Sequence, residues 1–165
     1  MFLDLPYILE TRRNHALEHA TLHVLAARHP NRNMAGHSNP TGFFILGDFP
    51  IDDIAWAAGQ ALSRLRAGES KLAIHPGCGT NLAITALLSA TLAWFALRGA
   101  KSTLGRILRA PFAVAFALFG LALSLPLGPA FQQKITTEAD LGALKIVEIR
   151  QSMRGKITAH RIITK

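Results

Sequence analysis

The chain has 165 residues, half of them hydrophobic, with 18 Lys and Arg against 10 Asp and Glu and a formal net charge of +8. A positive mean hydropathy of +0.25 together with a pI of 10.6 is unusual for a soluble domain and points to a membrane-embedded part. The basic residues are spread along the chain and aromatics are few, which argues against nucleic acid and for a lipid bilayer with an anionic headgroup surface as partner. The single cysteine, Cys78, excludes an internal disulfide and a Cys-x-x-Cys zinc ribbon.

The first ten residues carry Asp4 early and lack a long apolar core, so they read neither as a cleaved signal peptide nor as a transit peptide. A helix is expected from about Leu5 to Arg28, capped by Asp4, with Pro6 in its first turn and Pro30 as its stop. Its middle spells His15-Ala-Leu-Glu18-His19, the pattern H-x-x-E-H. Residues four apart share a helix face, so both imidazoles project together with the carboxylate at their edge. Two histidines one turn apart hold zinc in the ordinary H-E-x-x-H order, and the reversed order sets the same three groups around a metal. His23 lies one turn further, but three histidines at i, i+4 and i+8 span about 12 Å, too far for one ion.

Residues 30–42, rich in Asn, Gly and Pro, read as a loop. Gly42 to Asp48 has the aromatic and β-branched content of a buried strand, Ile51 to Arg66 the spacing of a helix with Asp52 and Asp53 in its first turn, and Lys71 to His75 the look of a second strand. Strand, helix, strand within about 30 residues predicts a βαβ unit with parallel strands, which sets Asp48 and His75 at carboxyl ends where sites gather. His75-Pro-Gly-Cys78-Gly-Thr-Asn81 then forms a glycine-rich turn. A thiolate there gains from the dipole of the following helix, and His75 and Cys78 are spaced to reach one ion.

No Asp, Glu, Lys or Arg occurs from Leu72 to Leu97 or from Ala110 to Phe131. Leu82 to Leu97 would make about 24 Å of helix, capped by Thr80 or Asn81, and the second run is expected to stop near Leu125 because Pro126, Gly128 and Pro129 follow. Arg98 to Arg109, with four basic residues and no acid, would join them as a loop, giving a transmembrane hairpin. Leu144 to Gln151 and Lys156 to Thr164 alternate apolar with polar residues around a turn at Ser152 to Gly155, predicting a C-terminal β-hairpin, with His160 exposed rather than functional.

The five-residue motif resembles that of the inverted zincins, metallopeptidases in which two histidines bind zinc, the intervening glutamate acts as base, and a glutamate further along is the third ligand. The resemblance covers His15 to His19 and implies His15 and His19 as ligands with Glu18 as base. Arg12 to Asp48 together with Gly68 to Asn81 resembles an uncharacterised bacterial family of small predicted membrane proteins, a domain of unknown function. That resemblance implies a membrane location.

The expected fold is α+β: a motif-bearing region at 1–80 with a βαβ unit, a transmembrane helical hairpin at 81–131, and a β-hairpin at 132–165 completing the polar domain. The expected function is that of a membrane-anchored zinc protein, expected in the bacterial inner membrane by the family resemblance alone, with Glu18 catalytic and His15, His19, His75 and Cys78 as metal ligands. A peptide is the expected substrate if the site is hydrolytic. The alternative is a non-catalytic membrane protein with a structural metal or a subunit-binding face. Three protein ligands plus water would favour catalysis, whereas His15, His19, His75 and Cys78 together would close the shell.

Overall fold

The computed structural model describes residues 2–155 and 157–165; Lys156, the expected start of the last strand, lies outside them. The chain divides into two compact units, one formed by the chain up to His75 together with Gln133–Lys165, the other by Pro76–Gln132.

The first unit is built around helix α1, Pro6–Arg28, which starts with proline in its first turn and with Leu5, not Asp4, at the cap. Residues 16 to 22 are buried without interruption, so this helix runs through the middle of the unit and has no wholly solvated side there. Ala16, Leu17, Ala20, Leu22, Val24 and Leu25 supply the apolar core. A helix enclosed in this way must satisfy its polar groups internally. Asn14, fully buried, does so by donating to the carbonyls of Asn39 and Pro40 at 3.0 and 3.1 Å and accepting from the Thr164 hydroxyl at 2.7 Å.

Four strands form one sheet: β1 (Ala35–Asn39), β2 (Gly42–Leu46), β3 (Ile146–Arg154) and β4 (Ile157–Thr164), of which β1 and β2 pack on α1. Their order is β1-β2-β4-β3 and every neighbouring pair is antiparallel. Phe43, Ile45 and Ile162 project from the sheet into the core. At the β1–β2 turn Gly42 has φ +132° and lies so close to β4 that a Cβ would stand 2.0 Å from the Ile162 carbonyl oxygen, so only glycine fits. Helix α2, Ile51–Arg66, buries Ile54, Ala57, Ala58, Ala61 and Leu65. Asp53 in its first turn is held by Arg28 at 3.0 Å and by His29 at 2.8 Å.

The C-terminal β-hairpin forms as the alternation predicts, but the βαβ unit does not. Residues expected as its second strand instead make a 3₁₀ turn, Ser70–Ala73, followed by extended backbone. The open edge of β2 is taken by β4, arriving from the far end of the chain, so residues 71–75 have no place in the sheet. Asp48 and His75 therefore do not share a row of strand ends. The expected loop before Gly42 contains β1, whose polar sequence carries little strand signal. His160 is corrected too: the inward register of Thr158, His160, Ile162 and Thr164 leaves it fully buried.

The second unit is a pair of helices, α3 (Gly79–Leu97) and α4 (Thr103–Phe131). Cys78, rather than Thr80 or Asn81, caps α3, its sulfur accepting the Thr80 N–H at 3.4 Å. The basic loop is short: Ser102 caps α4 by accepting from the Gly105 N–H at 3.1 Å, so Arg106 and Arg109 already stand on the helix. Nor do Pro126 and Pro129 stop α4, which continues to Phe131 and then loosens into a π turn, Gln132–Thr136. An apolar sequence offers the backbone few partners other than its own, and a widened turn absorbs donors and acceptors displaced by proline.

Small and polar residues draw the two helices together. A Cβ on Gly120 would meet the Ser89 backbone at 2.8 Å, Thr85 donates to Ser124 at 2.7 Å, and Gln132 donates to Asn81 at 2.6 Å. The outer faces are apolar and open: Leu87, Leu104, Leu108, Phe112, Leu118 and Phe119 are each more than half exposed. Both helices are long and apolar enough to cross a membrane.

Candidate metal centre

His15, His19 and His23 follow one another at four-residue steps along one edge of α1, and each ring meets a backbone carbonyl. His15 Nδ1 lies 2.9 Å from Thr136 O, His19 Nδ1 2.7 Å from Ala73 O, and His23 Nε2 2.8 Å from Ile74 O. A carbonyl oxygen only accepts, so the nitrogen facing it carries the proton. In the neutral ring the other nitrogen then keeps its lone pair: Nε2 in His15 and His19, Nδ1 in His23. Metal-bound histidines are held in this way, one nitrogen donating to the protein while the other faces the ion.

The carbonyls are themselves fixed. Ala73 ends the 3₁₀ turn and Ile74 continues extended beside α1, so that Ala73 and Ile74 accept from two successive histidines. The next residue, His75, sets its ring 5.7 Å from that of His19 and 4.8 Å from that of His23, centre to centre. On the other side, Arg12 donates to the carbonyls of Ile135 and Thr137 at 2.9 and 3.0 Å and pairs with Glu138 at 3.2 Å, which holds Thr136 against His15. Arg13 extends the same grip to Asp140 O at 3.1 Å.

The His15 and His19 rings are 4.3 Å apart. Two imidazoles on one tetrahedral zinc, with Zn–N near 2.0–2.1 Å, have ring centres roughly 5 Å apart. The His15–His19 and His19–His75 separations fall on either side of that value, so each of these pairs has a spacing suited to a shared ion. Burial, and next the neighbouring imidazoles of His23 and His19, push the His75 pKa down to about 4. His75 is therefore neutral, the form a metal requires, across the physiological range.

Glu18, 4% exposed, turns toward β1, where its carboxylate accepts a hydrogen bond from the Ser38 hydroxyl. Gly36, two residues earlier on the same strand face, leaves the room: a Cβ there would stand 2.0 Å from Glu18 Oε1. Cys78 belongs to the second unit as the cap of α3, three residues along the chain from His75. Sequence reasoning missed Gly36 and Ser38, although glycine and serine two apart in a polar stretch are the available signal of a strand lying close to a charged helix. It had no means of finding Ala73, Ile74 and Thr136, which act through backbone carbonyls.

Residues 10–149 match the family profile described as a domain of unknown function, DUF6391. The chain belongs to this family. Among similar proteins is one from Picosynechococcus sp. described as uncharacterized, 37% identical over 158 residues, which covers 88% of this chain and 74% of the relative. No solved structure matches. The span shared with DUF6391 contains His15, Glu18, His19, His23, His75, Cys78 and all three carbonyl residues.

Two measurements of stability check this geometry. Gly36→Ala is expected to destabilise the detergent-solubilised protein by about 1–3 kcal/mol through overpacking against Glu18. Gly59→Ala in α2, where a Cβ meets nothing within 4 Å, should stabilise it by about 0.5–1 kcal/mol. Equal effects in thermal melting would show that Gly36 does not abut the carboxylate.

The second concerns pH. The folded pKa of His75 is lowered as described, and that of His160 is lowered chiefly by burial. Below about pH 6.5 the unfolded chain takes up protons that the folded chain refuses, so metal-free protein should lose stability on acidification, in the case of His75 down to about pH 4. Urea unfolding between pH 7.5 and 5 should show this loss, with a shallower slope for His160→Leu. An unchanged slope would remove His160 from the effect.

Proposed function

We propose that the protein is a membrane-anchored zinc-binding protein in which His15 and His19 are the founding ligands. The observation that carries this reading is the pair of Nδ1–H to carbonyl hydrogen bonds, which orients both Nε2 lone pairs from adjacent rings. The third ligand is either His75, whose ring stands beside that of His19, or Cys78, three residues further along the chain. Helices α3 and α4 enter the bilayer, and Arg98, Lys101, Arg106 and Arg109 near their turn meet anionic headgroups. A bacterial inner membrane is the proposed location.

With an open coordination position the centre is that of a hydrolase acting on peptides. Zinc bound there supplies a Lewis acid that activates water near neutral pH and polarises a carbonyl. Glu18, three residues after His15 and next to His19, would be the general base that accepts a proton from water. A second, non-catalytic reading is favoured by one observation: the Glu18 carboxylate is engaged by Ser38 and wedged against Gly36. In that reading Glu18 ties α1 to β1 and the metal is structural, with a membrane subunit as partner.

Purified protein in detergent should contain about one tightly held zinc per chain, and His15→Ala or His19→Ala should each abolish it. Zinc retained in both variants would reject these ligands. Glu18→Gln should keep the metal, and if the centre is hydrolytic it should lose cleavage of a peptide library by at least about 100-fold; equal cleavage would take Glu18 out of the chemistry.

The anchor is tested separately. After alkaline carbonate extraction of cell membranes the protein should stay in the pellet, and release into the supernatant would reject it.

A further inference from the structure

His23 stands outside the centre just proposed, one turn further along α1 and beyond the reach of an ion held by His15. It nevertheless repeats the arrangement of the first two histidines. Its Nε2–H donates to Ile74 O at 2.8 Å, which leaves the Nδ1 lone pair, and its ring centre is 4.8 Å from that of His75 at an interplanar angle of 61°. That separation matches the roughly 5 Å of two imidazoles on one tetrahedral ion. The four rings thus form a row, His15, His19, His75, His23, with successive centres 4.3, 5.7 and 4.8 Å apart.

We propose that His23 and His75 form a second metal position, adjacent to the first. Two neutral imidazoles suit a borderline divalent cation such as Zn²⁺, Cu²⁺ or Ni²⁺ rather than Mg²⁺ or Ca²⁺, which take oxygen ligands. With two protein nitrogens it binds more weakly than the His15–His19 centre. His75, neighbour to both His19 and His23, belongs to the first position when one ion is present and to the second when both are filled. The inference rests on the reading of His15 and His19 as ligands only for this sharing.

The full-length protein in detergent, stripped with chelator and desalted, is titrated calorimetrically with Zn²⁺. Wild type should show a tight and a weaker step. His23→Gln, whose amide can still donate to Ile74 O, should keep the tight step and lose the weaker one, and His75→Gln should lose the weaker step as well. The double variant His15→Ala with His19→Ala should keep the weaker step alone. A single step in wild type, or a weaker step unchanged in both Gln variants, overturns the second position and leaves the first intact. No step in wild type overturns the first centre together with the second.

Discussion

The first unit depends on how the enclosed helix α1 satisfies its polar side chains. Three histidines, Arg12, Arg13 and Asn14 sit on a helix whose middle is buried throughout, and an unpaired polar group there would cost about 1–3 kcal/mol. The chain meets this with backbone carbonyls: Ala73 and Ile74 on one flank, Ile135, Thr136 and Thr137 on the other, Asn39 and Pro40 at the β1–β2 turn. The two flanks are the stretches just before the chain leaves this unit at His75 and just after it returns at Gln133. The same hydrogen bonds that close the fold decide which ring nitrogen carries a proton.

That dependence explains which parts of the structure the sequence made legible. The H-x-x-E-H helix, the two long apolar helices and the C-terminal β-hairpin follow from local patterns: a four-residue step, uncharged runs and strict alternation. What sequence reasoning got wrong is decided by distant partners. β1 is a strand because β2 and Glu18 lie beside it, not because Ala-Gly-His-Ser-Asn favours extended backbone. Lys71–His75 looks like a strand, but its carbonyls are used by α1 histidines and its place in the sheet is filled by β4. The three prolines of α4 are tolerated within a long apolar helix that ends in a π turn.

The candidate site divides along the same line. His15, His19 and Glu18 could be picked out because their spacing is local, and His75 because it precedes a glycine-rich turn. The wedge of Glu18 between Gly36 and Ser38 could not, and it matters most for chemistry. A carboxylate packed against a strand is positioned either to hold that strand or to act on water from a fixed place, and substitution of the glutamate by its amide separates the two. His160 carries a further lesson: strand alternation, read for register, already placed it on the same face as Ile162.

Nitrogen NMR of the imidazole rings tests the central claim most directly. In metal-free protein with ¹⁵N-labelled histidine, His15 and His19 should be neutral rings protonated at Nδ1 and not at Nε2, and zinc should shift both Nε2 resonances while leaving the Nδ1–H bonds in place. Rings protonated at Nε2, or Nε2 resonances that do not respond to zinc, would contradict the account.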